Sequence, residues 1–335
     1  MKMNKINILI IAAAAASLCF SCVRPDSSGL NDGNKRYFDS WMQINHPDAV
    51  KEGAGVYIID ETTGSGKSLG DAADNPYVYI SYTTKDLEGT ITASSDAAVA
   101  KQLGSYDKTM YYGPVVRLRS VTAFSAGQEM VLSPMRVGGT RTAAIPGWLE
   151  SVDRYETEQE YLDNVSGTDC IYTVTLHDVI SDIAKWQIDS ISRYMARNFQ
   201  SPQDSLIYGL YYIQTTPPTD TASFDSDAKV YVNYTGSLLN GHIFDTSDEN
   251  TAKDAGLYSA SKDYEPLEVT YKSDYTEISD LVKGFAYCVS KMRKGERGTC
   301  IFYSGLGYEA TTSSDGRIPA YSPLRFDLEM LGTSK

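Results

Sequence analysis

The stretch Val230-Tyr231-Val232-Asn233-Tyr234-Thr235, continuing as Gly236-Ser237-Leu238-Leu239-Asn240-Gly241-His242-Ile243-Phe244-Asp245, decides how the chain is read. Its first six residues alternate in polarity, the period of a strand with one face buried. The same alternation occurs far upstream in Val78-Tyr79-Ile80-Ser81-Tyr82-Thr83. Once these two segments are aligned, others fall into line. Gly55-Val56-Tyr57-Ile58-Ile59 matches Gly209-Leu210-Tyr211-Tyr212-Ile213, and Met135 to Arg141 matches Met292 to Gly298. Each copy of the last match precedes another apolar strand. Four matches in one order mark an internal repeat, so the chain reads as two copies of one α+β unit. Between them, Ile180, Ile183, Ile188, Ile191 and Met195 recur near helical spacing, which predicts a helical linker over 180–205.

Outward from Asp245, the second copy resembles the FK506-binding type of peptidyl-prolyl isomerase. The strand, turn and Phe244-Asp245 pair are similar to that family's. Leu281-Val282-Lys283-Gly284-Phe285 resembles the start of its single helix, and Met292 to Gly295 resembles the helix exit. Tyr308 follows the next strand at the family's distance. Ile318-Pro319-Ala320-Tyr321-Ser322-Pro323-Leu324-Arg325-Phe326-Asp327-Leu328 resembles the closing loop and last strand. The resemblance covers nearly all of 206–335. It implies two domains, each an antiparallel sheet wrapped around a short α-helix, the first degenerate. It also implies Tyr234, Phe244, Asp245 and Tyr308 as catalytic residues. Leu267, Leu281, Val282, Phe285, Ile318 and Phe326 would contact substrate. The Tyr308 hydroxyl, and the Val282 backbone N–H at the helix start, would donate to substrate carbonyls.

Such a reaction asks little of the protein. Rotation about X-Pro must break amide conjugation, over a barrier of roughly 18–20 kcal/mol. No nucleophile, metal or cofactor is needed, only a poorly hydrated aromatic surface that favours the twisted amide over the planar one. Two positions depart from the family. Phe285 stands where Trp is common, and Leu267 where an aromatic is common. The loop between Asp245 and Leu267 is long and polar, with Asp248, Glu249, Asp254 and Lys262. The first copy, 55–179, keeps Tyr82 but has Ile91-Thr92 for Phe-Asp and Gln128 at the pocket floor. Pro146-Gly147-Trp148-Leu149 stands where the last tyrosine is expected. Catalysis is therefore expected from the second copy alone.

Composition sets the outer bounds. The chain has 335 residues, enough for two domains, and an apolar fraction of 42% supports real cores. A net charge of −13 makes nucleic acid a poor partner. The 25 tyrosines suit strands and contact surfaces. Residues 1–22 read as a lipoprotein signal peptide: Lys2 and Lys5, the apolar run Ile6 to Phe20, then Ser21-Cys22. Cys22 is the candidate lipidation site, with 23–54 a tether and N-terminal helix. The protein is accordingly expected to be exported and held at the outer membrane, on its periplasmic face or at the cell surface, by its lipid anchor. Cys170, Cys288 and Cys300 show no CxxC spacing and read as small buried residues rather than a pair. Gly64-Ser65-Gly66-Lys67-Ser68 lacks the leading glycine of a phosphate loop and reads as a turn. Three histidines without ligand spacing argue against zinc.

The sequence therefore points to an enzyme acting on proline-containing polypeptide clients, with FK506-like macrocycles a further ligand class implied by the resemblance. The altered pocket floor and degenerate first copy also fit another class, a non-catalytic client-binding, holdase-like lipoprotein.

Overall fold

The computed structural model describes residues 29–120, 122–199, 206–313 and 315–334. Cys22 and the signal segment lie outside them. The chain folds as two α+β units with one topology. The first sheet carries β1 (Val50–Glu52), β2 (Val56–Thr62), β3 (Tyr77–Lys85), β4 (Ile91–Ser94), β5 (Val115–Leu118), β6 (Thr140–Ile145) and β7 (Cys170–Ile180). Their order is β1-β2-β6-β7-β3-β4, with β5 also paired to β3. The second sheet carries β8 (Leu210–Thr216), β9 (Lys229–Leu238), β10 (Ile243–Thr246), β11 (Leu267–Thr270), β12 (Arg297–Phe302) and β13 (Leu324–Gly332). Its order is β10-β9-β13-β12-β8, with β11 also on β9. Apart from the extra β1, one order maps onto the other strand for strand.

Period-2 patterning explains the dry face of the second sheet. Along β13, Leu324, Phe326, Leu328 and Met330 are buried, while the residues between them are partly exposed. The dry face receives α7 (Lys283–Lys291), which buries Phe285, Ala286, Cys288 and Val289. Gly284 permits the approach, since a Cβ there would collide with the Phe302 ring. In the first unit α3 (Ala126–Leu132) takes the same place, with Gly127 against Ile145.

One helix is added to the expected fold, and one expectation changes. The second unit has more than one helix, because α6 (Glu249–Ala255) forms within the polar loop, capped by the Asp248 side chain accepting from Thr251 N–H. Its counterpart in the first unit is α2 (Ala97–Gln102), capped by Asp96 accepting from Ala98 N–H. Cys288 and Cys300 form a disulfide instead of standing apart. The turn after α7 folds β12 back along the helix, which brings their Cα atoms to 6.6 Å. Cys170 is unpaired.

Asn31 is buried and donates to the carbonyls of Leu162 and Val165, at the end of α4 (Glu158–Asn164). α1 (Asp32–Asn45) then packs Phe38 and Met42 into the first core.

The linker helix forms as α5 (Ile183–Asn198) and packs on the outer face of the second sheet. Ile191 and Met195 are buried there with Tyr211 and Ile301. Gln187, fully buried, accepts from Ser304 N–H at 2.7 Å and donates to Ser304 Oγ at 2.9 Å. A buried amide with both bonds made is worth keeping, and stripping it leaves a buried N–H unpaired at a cost of about 1–3 kcal/mol. Gln187→Ala should therefore lower unfolding stability by about 1–3 kcal/mol in urea titrations. Lys185→Ala, which removes only an exposed pair to Asp189, should change it by less than about 0.5 kcal/mol. Equal effects of the two substitutions would show that the linker is not locked to the second unit.

Candidate functional site

Phe326 organises the site. It sits at the middle of β13, paired with Gly236 of β9 and Cys300 of β12. Its ring meets Phe285 edge-on at 4.9 Å, Phe244 edge-on at 5.6 Å and Phe302 stacked at 5.8 Å. Tyr234 joins from β9, 5.9 Å from Phe285 and 6.5 Å from Phe326. Such edge and offset contacts are the favoured arrangements of aromatic pairs. Gly236 makes them possible, because a Cβ there would lie 2.5 Å from Phe244 and 2.8 Å from Phe326. Ile318 is buried in the same cluster, and Leu281, Val282 and Leu267 pack at its margin. Val282 is the N-cap of α7 with extended backbone, so its N–H stands ahead of the helix.

The polar side of the cluster comes from β9, β10 and the loop after β12. The Tyr234 hydroxyl donates to Asp245 Oδ2 at 2.7 Å. Lys262, from the polar loop, pairs with the other carboxylate oxygen. Burial, reinforced by the Asp245 bond and charge, pushes the Tyr234 phenol well above its ordinary range. Burial first, and then the charge of Asp245, also raises Tyr308. Both tyrosines are thus held protonated, as donors. Tyr234 spends its proton on Asp245, whereas Tyr308 is 40% exposed and turned toward solvent.

Most of the residues expected from sequence therefore converge. Phe244, Phe285, Phe326 and Ile318 make the apolar body, and Tyr234, Asp245 and Tyr308 the polar rim. Leu267 lies further out, on β11 opposite Val232. Three features were not anticipated. Phe302 backs Phe326, Lys262 neutralises Asp245, and Tyr258 stacks on Tyr264 at 5.7 Å to order the polar loop beside them. The last was readable from the repeat: Tyr106 stacks on Tyr112 at the equivalent place in the first copy, with Lys101 over Tyr106 as Lys253 lies over Tyr258.

Among its described residues, the first copy assembles nothing comparable. Gln128 turns back to complete a capping box with Ser125. Trp148 is buried against Phe38 of α1, and Arg117 covers Tyr82.

Residues 221–331 match the family described as FKBP-type peptidyl-prolyl cis-trans isomerase. FK506-binding protein 2 of Dictyostelium discoideum is 32% identical over 132 residues, 39% of this chain and 82% of that protein. The chain belongs to the FKBP-type peptidyl-prolyl isomerase family. The macrophage infectivity potentiator of Trypanosoma cruzi is also 32% identical, over 105 residues, 31% of this chain and 43% of that protein. The chain thus spans less than half of that relative. Among solved structures, a peptidyl-prolyl isomerase of Pseudomonas syringae aligns at 22% identity and a TM-score of 0.31, over 44% of this chain and 93% of its own. The three FKBP domains of wheat FKBP73 align at 13% identity and 0.30, over 83% and 94%. The FKBP-type match falls on the second unit, where the aromatic cluster is.

No set of three or more His, Cys, Asp or Glu suited to a metal occurs among the described residues. The cluster's packing makes a direct prediction. Gly236→Ala should overpack it and cost about 1–3 kcal/mol, with loss of near-UV circular dichroism from the displaced rings. An unchanged near-UV spectrum and unfolding midpoint would show that the rings are not in contact with β9 as described.

Proposed function

We propose that the second unit accelerates cis/trans exchange of X-Pro bonds in proteins folding outside the cytoplasm, and that the chain is carried to the outer membrane by lipid on Cys22. The observation that carries the catalytic reading is the Tyr234–Asp245–Tyr308 rim set against the Phe244, Phe285 and Phe326 rings. A proline ring laid on those aromatics loses water. The planar amide then forfeits solvation that the less dipolar twisted amide needs less, so the barrier falls by differential binding. Tyr308, exposed and protonated, can donate to a carbonyl of the client. Asp245 is already bonded to Tyr234 and Lys262, which makes it a fixer of the rim rather than a proton carrier. FK506-like macrocycles would meet the same rings, over Phe285 in place of an indole. The first unit, with Gln128 and Trp148 drawn into cap and core, is a silent copy.

NMR exchange on a short proline peptide tests this. Tyr308→Phe should lower kcat/KM roughly tenfold, the equivalent of one lost hydrogen bond. Phe244→Ala should lower it roughly a hundredfold while unfolding cooperatively. A folded parent without acceleration would favour the holdase reading, for which the degenerate first unit is the motive.

Because both phenols are raised above the ordinary 10.0, their donor protons are lost only on the alkaline side of that value. The rate should therefore be level from neutrality up to it. A fall beginning in the neutral range would assign the rate to another group. The anchor is tested separately: Cys22→Ser should abolish incorporation of a labelled fatty acid, and persistent labelling would place the lipid elsewhere.

A further inference from the structure

A crevice of 180 Å³ lies between the two units. Tyr79 and Tyr111 come from the first unit, Trp186 from α5, and Leu239, Pro319 and Tyr321 from the second. The polar atoms of its three large rings from the first unit and α5 are bonded within the protein. Trp186 Nε1 donates to Asp178 Oδ2 at 2.7 Å, the Tyr111 hydroxyl donates to the Pro114 carbonyl at 2.8 Å, and the Tyr79 and Tyr111 hydroxyls are paired. What faces the crevice is mostly ring and aliphatic surface, with Ser190, Asn240 and Ser322 also in the lining. An apolar cavity of about 150 Å³ is enough for a benzene ring, so this one has room for a single large side chain.

The crevice and the isomerase site share a wall. Ile318 is buried among the Phe244, Phe285 and Phe326 cluster, and the next residues along the chain, Pro319 to Tyr321, line the crevice. That wall is built with unusual backbone. Glu309 and Tyr321 both adopt left-handed φ, 50° and 58°, and the Tyr321 N–H donates to the Glu309 carbonyl at 2.7 Å. Non-glycine residues in this region are uncommon and carry strain. Glu309 follows Tyr308 directly, so one knot holds the rim tyrosine on one side and presents Tyr321 on the other. The Tyr321 ring is then fixed from the first unit by Tyr77, edge-on at 5.2 Å.

We propose that this crevice is a second client subsite, which seats an apolar or aromatic side chain of the same polypeptide whose proline lies over Phe326. The proposal rests on the isomerase reading. It gives the silent first unit a task, as half of a subsite that short peptides never reach. Substrates with an aromatic residue at a bridging distance from proline are thereby selected over those without.

The test uses the full chain and two peptide sets, a short proline peptide and longer ones in which a single Phe is moved outward from the proline one residue at a time. At one spacing KM should fall about tenfold against the Phe→Ser control, consistent with partial burial of an aromatic side chain, while the short peptide shows no such gain. The same long peptide should shift Trp186 emission, read as the difference from Trp186→Phe. Ser190→Trp, which fills the crevice from α5, should raise KM for that peptide alone. A KM indifferent to Phe at every spacing overturns the subsite, even though the short peptide is still turned over. Absent turnover of the short peptide would instead sink the isomerase reading beneath it.

Discussion

Everything in the second unit depends on laying α7 flat against the dry face of a twisted sheet. That contact requires two residues without side chains. Gly284 lets the helix descend onto the Phe302 ring, and Gly236 clears room on β9 for Phe244 and Phe326 to meet. With both in place, one strand residue, Phe326, touches rings from β10, α7 and β12 together. The candidate surface is thus the outer edge of the core itself, and its shape is as stiff as close packing makes any core. The reaction proposed for it suits such a surface, since preferring a twisted amide calls for fixed rings and excluded water rather than moving charges.

The two copies show how one fold persists while the side chains at the same place in it differ. Strand order is the same in both sheets, and the glycine under the helix is retained as Gly127. One helix residue separates them most clearly. Phe285 points into the cluster, whereas Gln128 bonds its own N-cap. Trp148, which sequence placed near the missing tyrosine, is buried against Phe38 because α1 covers that end of the sheet. Aromatic content alone would not distinguish the copies. Where each ring's free face points does.

Local signals account for the part that could be read in advance. The repeat and the strands were legible because period-2 alternation depends on near neighbours, whereas the start of α7 came only with the resemblance. Tyr234, Phe244, Asp245, Phe285, Tyr308 and Phe326 were legible only as an ordered set carried by a resemblance. What escaped was long-range pairing. Nothing local announces that Cys288 and Cys300 face each other, since their meeting depends on the turn that folds β12 back along α7. Lys262 reaches Asp245 only because α6 and the Tyr258–Tyr264 stack order the loop between them. Asn31 read as tether because its partners, Leu162 and Val165, lie more than a hundred residues away.

The joint between the units is built from the same kind of long-range contact. The first copy keeps the lysine–tyrosine–tyrosine stack of the polar loop, yet the residues beyond Tyr106 are spent on the neighbouring unit. Lys108 donates to the Asp254 carbonyl, the Met110 methyl lies against Gly316, and Tyr111 meets His242 edge-on at 6.3 Å. From the other side, Gln187 of α5 grips Ser304, and Tyr194 accepts from Arg325 at 2.7 Å. The segment bearing Tyr308 and Ile318 is therefore held between a core, a linker helix and a borrowed loop. A freely hinged pair of domains would leave that segment to its own strained backbone at Glu309 and Tyr321. Bracing it from three directions offsets the strain, and this gives a physical reason for the chain to retain the whole of the other copy.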